Sequence, residues 1–252
     1  MTRSIFISGA AAGIGRATAL YFAARGWRVG AFDIDEQAVA ALSVAFPEQI
    51  MTGHLDVRSA ESWHRALGQF CSDGTLDVLF NNAGILVSGD FTATAAADHA
   101  RLIDVNCSGV MHGCHAAFQY LCRGREARVI TMCSASALFG QPQLASYSAS
   151  KFFVKGMTEA LSLEWEPQGI QVMDAAPLFV KTAMVEGPET PAMRKLGVRL
   201  EPADIALAIW RMAHYKGNKM HWHIGIQTKL AALAAKLSPH SLNRWVNARI
   251  TR

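Results

Sequence analysis

Residues Ser4 to Gly15 read S-I-F-I-S-G-A-A-A-G-I-G. The short apolar run predicts a buried strand. Glycines follow at Gly9, Gly13 and Gly15, and Arg16–Arg25 then has helical period and stops at Gly26. A glycine-rich turn from strand to helix lets backbone approach a pyrophosphate, whose charge the helix N-terminus favours. The spacing is G-x-x-x-G-x-G, not the G-x-G-x-x-G of the commonest dinucleotide fingerprint. A tight turn without ligand is the competing reading.

A second strand, Trp27 to Phe32, ends in Asp33, which lies 18 residues after Gly15. A carboxylate near this offset binds the adenosine ribose hydroxyls of a dinucleotide and repels a 2′-phosphate. No basic residue takes its place, since Ala12 precedes the second glycine and Ile34 follows Asp33. NAD is therefore expected rather than NADP. The alternative is that Asp33 caps the helix beginning near Asp35.

The pattern repeats along the chain. Helical stretches at Glu36–Phe46 and Ala60–Cys71 alternate with apolar runs at Ile50–Leu55 and Leu76–Phe80. Such alternation predicts an α/β fold whose parallel sheet is covered on both faces. Ligands in such sheets bind beyond the carboxyl ends of the strands. The glycine turn, Asp33, Asp56, Asn82 (in N-N-A-G, Asn81–Gly84) and Ser134 all fall at such ends. A long helix is expected over Ala96–Cys122. Asn106 and Gly109 are poor helix formers inside it, so a kink there is expected to free backbone groups for a water.

The apolar run Arg128–Cys133 leads into Ser134, and Tyr147 stands thirteen residues later, with Lys151 four beyond it. On a helix, residues four apart share a face, so Tyr147 and Lys151 point into one cleft. Free tyrosine has a pKa of about 10, and a nearby ammonium favours the phenolate. Tyr147 can then exchange a proton with a substrate oxygen that Ser134 also holds. The site needs a hydride partner. Alone, a Tyr/Lys pair at this spacing is an ordinary feature of a helix surface.

Composition narrows the possibilities. The chain has 252 residues, 51% of them hydrophobic, enough for a large single core. It has no run of 18 apolar residues, so no membrane span is expected, and no signal peptide is evident. Five cysteines without a C-x-x-C pair read as reduced thiols of a cytoplasmic protein. No metal site is expected. His221 and His223 share a strand face, but no third ligand is evident. Asp204 is the last acidic residue, and eight Lys or Arg follow it. Charge so uneven suggests that the tail meets something anionic. No recognition motif accompanies it, so nucleic acid is not expected.

Over residues 3–225 the chain resembles the short-chain dehydrogenase/reductase family. The resemblance rests on S-G-A-A-A-G-I-G, Asp56, N-N-A-G, Asn106, Ser134 and Y-S-A-S-K, in order and at family spacing. It implies a Rossmann-like doubly wound sheet of about seven strands in residues 1–226, and a homodimer or homotetramer. It also implies Tyr147 as general acid/base, with Lys151 tuning it and binding the nicotinamide ribose. Ser134 would hold the substrate oxygen and Asn106 a relay water. Cofactor contacts would fall on Gly9, Gly13, Ile14, Gly15, Asp33, Asp56, Val57, Asn82, Ala83, Gly84, Tyr147, Lys151, Pro177, Val180 and Thr182. Val154 occupies the position seven after Tyr147, which disfavours the enoyl reductase branch. A non-catalytic NAD-binding regulator, or an epimerase or dehydratase, are the rival functions for the same scaffold.

Where the family usually has glycine after Pro177, this chain has Leu178. A tighter, more apolar pocket is expected. The alternative is that Leu178 points into the core. Residues 183–200 resemble the family's variable lid. Candidate wall residues are Leu86, Phe139, Leu144, Leu178, Phe179, Met184 and Met193. No arginine is clearly placed for a substrate carboxylate. This palette suits a hydrophobic secondary alcohol or ketone. Residues 227–252 predict two basic amphipathic helices, with Leu230, Leu233 and Leu237 in one stripe and Leu242, Trp245, Val246 and Arg249 in another. They can rest on an anionic membrane, cover the substrate mouth or pack on a neighbouring subunit.

Overall fold

A computed structural model describes residues 2–185 and 191–251. Residues 186–190 of the expected lid, and the Leu242 side chain of the expected second stripe, lie outside the described residues. Seven strands form one parallel sheet: β1 (Ser4–Ser8), β2 (Arg28–Asp33), β3 (Ile50–His54), β4 (Val78–Asn81), β5 (Arg128–Met132), β6 (Gln171–Pro177) and β7 (His221–Ile224). Their order is β3-β2-β1-β4-β5-β6-β7, the doubly wound Rossmann-like arrangement. The order reverses direction between β1 and β4, the switch point where such sheets bind ligands.

The central strands β1, β4 and β5 are buried along their whole length because both faces are covered. Phe6 packs into one core with Phe32, Leu79 and Val129. Helices α3 (Ala60–Phe70), α5 (Gly109–Leu121) and α6 (Ala145–Glu164) close it through Trp63, Phe70, Ala117 and Val154. Ile5 and Ile7, of opposite pleat, enter the second core with Val29, Phe80 and Ile130. There α1 (Gly13–Ala23), α2 (Glu36–Ala45) and α8 (Pro202–Ala213) supply Phe22, Leu42 and Ile209. Phe6 stacks on Phe32 with centroids 4.7 Å apart, at the middle of the first core.

The helix expected over Ala96–Cys122 is interrupted. After α4 (Ala96–Ile103) the chain widens into a π-helical turn, Asp104–Ser108, before α5 begins. Such turns shift backbone carbonyls out of α-helical register and are common at functional sites. A short helix α7 (Pro191–Leu196) lies in the stretch expected to form a lid, and α9 (Ile226–Leu237) and α10 (His240–Thr251) form the tail.

At the sheet edge, His221 on β7 takes the middle of a small ionic cluster. Its Nδ1 lies 2.5 Å from Oδ2 of buried Asp174, and its Nε2 lies 3.2 Å from Glu159 Oε1. The Asp174 hydrogen bond raises the imidazole pKa, and partial burial opposes it. A raised histidine stabilises the fold fully below its unfolded pKa of about 6.5, and this stability is lost as pH rises through the folded value. We therefore expect His221→Gln to melt about 3 °C below the parent at pH 6, a loss of about 1 kcal/mol for this half-exposed cluster. The gap should shrink by pH 9. Thermal melts at both pH values test this, and an equal gap at the two would remove the ionic explanation.

Candidate active site

The turn after β1 is shaped by the contacts it makes. Gly9 has φ +69°, and a Cβ there would sit 2.7 Å from Ala83 Cα. A Cβ on Gly15 would meet the Gly9 carbonyl oxygen at 2.1 Å and Asn82 Nδ2 at 2.6 Å. The turn thus packs against the end of β4 with no room for a side chain at Gly9 or Gly15. Asn82 locks it there, since its Nδ2 donates to the carbonyls of Ser8 and Gly9 at 3.0 and 2.8 Å. The amides of Asn82 and Ala83 both donate to Ser8 Oγ at 3.2 Å.

No side chain caps α1, and its first turn has no acidic residue. By contrast, Asp35 caps α2 and Ser59 caps α3. The first-turn amides of α1 have no side-chain acceptor and are therefore open to an anion. Asp33 ends β2 at the same edge. Its Oδ2 accepts from the Ala11 amide at 2.9 Å and its Oδ1 from the Asp35 amide at 3.0 Å. Asp33 is therefore not the cap of α2. It braces the glycine turn while its carboxylate borders the cavity.

The cavity measures about 590 Å³ and runs along the carboxyl ends of the strands. Gly9, Gly13, Ile14, Asp33, Asp56, Val57, Asn82, Ala83 and Gly84 line one part of it, and Pro177, Val180 and Thr182 another. Gly15 does not line it. That glycine is packed behind the wall between Gly9 and Asn82, so its part is to let the turn close. The uncapped helix start, the glycine turn and the strand-end carboxylate fit a dinucleotide.

Ser134, Tyr147 and Lys151 line the same cavity. Ser134 follows β5 and caps the 3₁₀ turn Ala135–Ala137, its Oγ accepting from the Ser136 amide at 3.2 Å. α6 then begins at Ala145 and carries Tyr147 and Lys151 on one face. Lys151 is buried, and its Nζ donates to the Met132 carbonyl at 2.8 Å. That ammonium lies 5.4 Å from the Tyr147 ring centroid. A buried cation thus stands where negative charge on the tyrosine oxygen would be stabilised.

Asn106 sits in the π-helical turn and is buried, but does not line the cavity. Its Oδ1 accepts from the Ile85 amide at 2.8 Å, and its Nδ2 donates to the Ile85 carbonyl at 2.9 Å and to Ser150 Oγ at 3.2 Å. The side chain therefore ties the loop after β4 to α6. Both ends of its side-chain amide are thus engaged by protein groups.

Of the expected wall residues, Leu86, Leu144, Leu178, Phe179, Met184 and Met193 line the cavity. Phe139 does not. The 3₁₀ turn after Ser134 carries the chain past the wall there, and Leu144 brings it back. Leu178 lines the cavity within an apolar cluster of Leu86, Phe179, Met193, Leu196 and Val198. It faces ligand space rather than the main core.

Sequence reasoning does not single out Arg58 and Arg101, and both border the cavity. The Arg58 guanidinium grips Asp56 at 2.7 Å and holds that carboxyl below its ordinary pKa. Arg101 pairs with Asp98 at 3.3 Å. The sequence signal for Arg58 is its place two residues after Asp56. Arg101 has none, because the face of α4 toward the cavity is set by packing.

The short chain dehydrogenase family matches residues 3–191. A 3-alpha-(or 20-beta)-hydroxysteroid dehydrogenase of Mycobacterium tuberculosis is 32% identical over 202 residues, covering 79% of this chain and 78% of that protein. A trans-4-hydroxycyclohexanecarboxylate dehydrogenase of Sinomonas cyclohexanicum is 34% identical, covering 72% and 73%. The fold is also that of a short chain dehydrogenase/reductase from Burkholderia phymatum solved with NAD, at TM-score 0.82 and 24% identity over 97% of this chain and 95% of the other. Since the family match spans most of the sequence, the chain belongs to the short chain dehydrogenase family and is an oxidoreductase acting on CH–OH groups.

Proposed function

We propose that this protein interconverts a hydrophobic secondary alcohol and its ketone with NAD(H). The observation that carries the proposal is one cavity that holds Asp33, Ser134, Tyr147 and Lys151 together with an apolar wall of Leu86, Leu144, Leu178, Phe179, Met184 and Met193. When bound, the dinucleotide supplies the hydride acceptor or donor. In the oxidative direction Tyr147 takes the hydroxyl proton, and Ser134 Oγ donates a hydrogen bond to the same substrate oxygen. Lys151 stabilises the charge that passes through the tyrosine oxygen. A relay water would be held at the π-helical turn that carries Asn106, a kind of turn frequent at functional sites.

The choice of NAD rests on Asp33. Both guanidiniums at the wall are already paired, Arg58 with Asp56 and Arg101 with Asp98. Neither brings uncompensated positive charge for a 2′-phosphate. The substrate class rests on the wall, and the two relatives are named for ring-bearing secondary alcohols, of which the hydroxysteroid is the apolar kind such a wall suits.

The test is NADH formation from NAD across secondary alcohols from 2-butanol to a hydroxysteroid. We expect kcat/KM to rise with apolar bulk. Activity confined to small polar alcohols would sink the substrate class but not the enzyme class. Leu178→Gly should raise kcat/KM at least about tenfold for alcohols bulkier than the parent's best, since pocket discrimination by a few methylenes is of that order. An unchanged profile across the panel would remove Leu178 as a determinant of specificity.

A further inference from the structure

Helix α9 is built inside out. Ile226, Leu230, Leu233 and Leu237 recur at intervals of four, three and four, so they share one face. They are 75%, 62%, 55% and 75% exposed. The residue α9 buries is Thr228, at 0%, on the opposite side of the helix. Ala231, Ala232 and Ala235 are half-buried. Small residues thus face the protein while the large apolar ones face solvent. An amphipathic helix that packs only on its own domain shows the reverse.

Lys229 and Lys236 flank the stripe. On α10, Trp245 is 57% and Val246 37% exposed, and the Arg249 guanidinium lies 5.2 Å from the Trp245 ring centroid. α10 is tied to α9 by Asn243 Nδ2, which donates to the carbonyls of Ala235 and Ser238. No acidic residue follows Asp204. An exposed apolar face with lysines beside it, an exposed tryptophan and arginine on the adjoining helix, and a tail without carboxylates are the features of helices lying in an anionic lipid interface.

We infer that α9 and α10 bind the surface of an anionic bilayer, with Ile226, Leu230, Leu233 and Leu237 entering the acyl boundary. Charge decides against a second copy of the chain on the same face. In an antiparallel two-fold contact through this stripe Lys229 and Lys236 would approach the lysines of the other copy, with no tail carboxylate to compensate. The tail also touches α7. Gln227 Nε2 donates to the Leu196 carbonyl at 3.0 Å, and Lys195 Nζ to the Arg249 carbonyl at 2.7 Å. Met193 of α7 lines the cavity, so the membrane-binding element and the cavity share that helix. The binding itself is independent of the reaction assigned above.

The test is co-sedimentation of the full chain with vesicles of phosphatidylcholine, alone or with about a third phosphatidylglycerol. The parent should bind the anionic vesicles at least about tenfold more tightly than the neutral ones, and less in high salt. The double variant Leu230→Ser with Leu233→Ser should lose at least about tenfold, and Lys229→Gln with Lys236→Gln several-fold. Circular dichroism melts accompany each variant, and Leu237→Ser replaces any that melts early. Absence of parent binding, or undiminished binding by the serine variant, overturns the inference. So does a serine variant whose mass by light scattering falls while parent binding to vesicles is nil, because the stripe is then a protein interface.

Discussion

Tyr147→Phe is expected to lower kcat about a thousandfold for the best alcohol found, with NADH affinity changed less than about threefold. General acid–base catalysis contributes about 10²- to 10⁴-fold, and a thousandfold corresponds to about 4 kcal/mol of transition-state stabilisation. The substitution removes one oxygen from a half-buried ring. It keeps the ring beside Lys151 Nζ, 5.4 Å from its centroid. What is lost is the group that exchanges the proton. The packing of α6 and the Lys151 bond to the Met132 carbonyl remain, so binding should survive. Steady-state rates and a fluorescence titration with NADH separate the two effects. Turnover near the parent rate would show that another group carries the proton.

Asp33 governs the second large effect. The parent should prefer NAD over NADP by at least about a hundredfold in kcat/KM. Two unit charges about 4 Å apart at an effective dielectric of about 20 repel by about 4 kcal/mol, more than a hundredfold requires. Asp33→Asn is the informative variant. Its amide oxygen can still accept from the Ala11 amide, which Asp33 Oδ2 holds at 2.9 Å, so the glycine turn stays braced while the charge is gone and the exposed Asp35 amide turns from Asp33 Oδ1 to water. We expect the preference to fall below about tenfold with little change in melting temperature. Equal use of NAD and NADP by the parent would sink the cofactor assignment.

The order and type of the elements were legible because each rests on local pattern. Ile5, Phe6 and Ile7 form an unbroken apolar run because they feed two cores, and such a run followed by glycine can hardly be anything but a strand opening into a turn. The Tyr147–Lys151 pair was legible for a similar reason. Helical spacing alone puts both on one face, and the structure finds both on the cavity wall. The break at Asn106 was foreseen from poor helix formers. Its form, a π-helical turn whose asparagine side chain is bound to Ile85 and Ser150, was not, because those partners come from distant parts of the chain.

By itself the sequence determined the alternation of strands and helices, the glycine turn, the strand-end acids and the Ser134, Tyr147 and Lys151 set. Each of these follows from spacing along the backbone and from what one residue type can do. Tertiary structure alone decided the rest. Gly15 serves the closure of the turn and not the cavity, Phe139 passes outside the wall, Arg58 is spent on Asp56, and α9 turns its leucines outward. The physical reason is the same in each case. Periodicity says which residues share a face, but which way that face points depends on what the rest of the chain has packed against its other side.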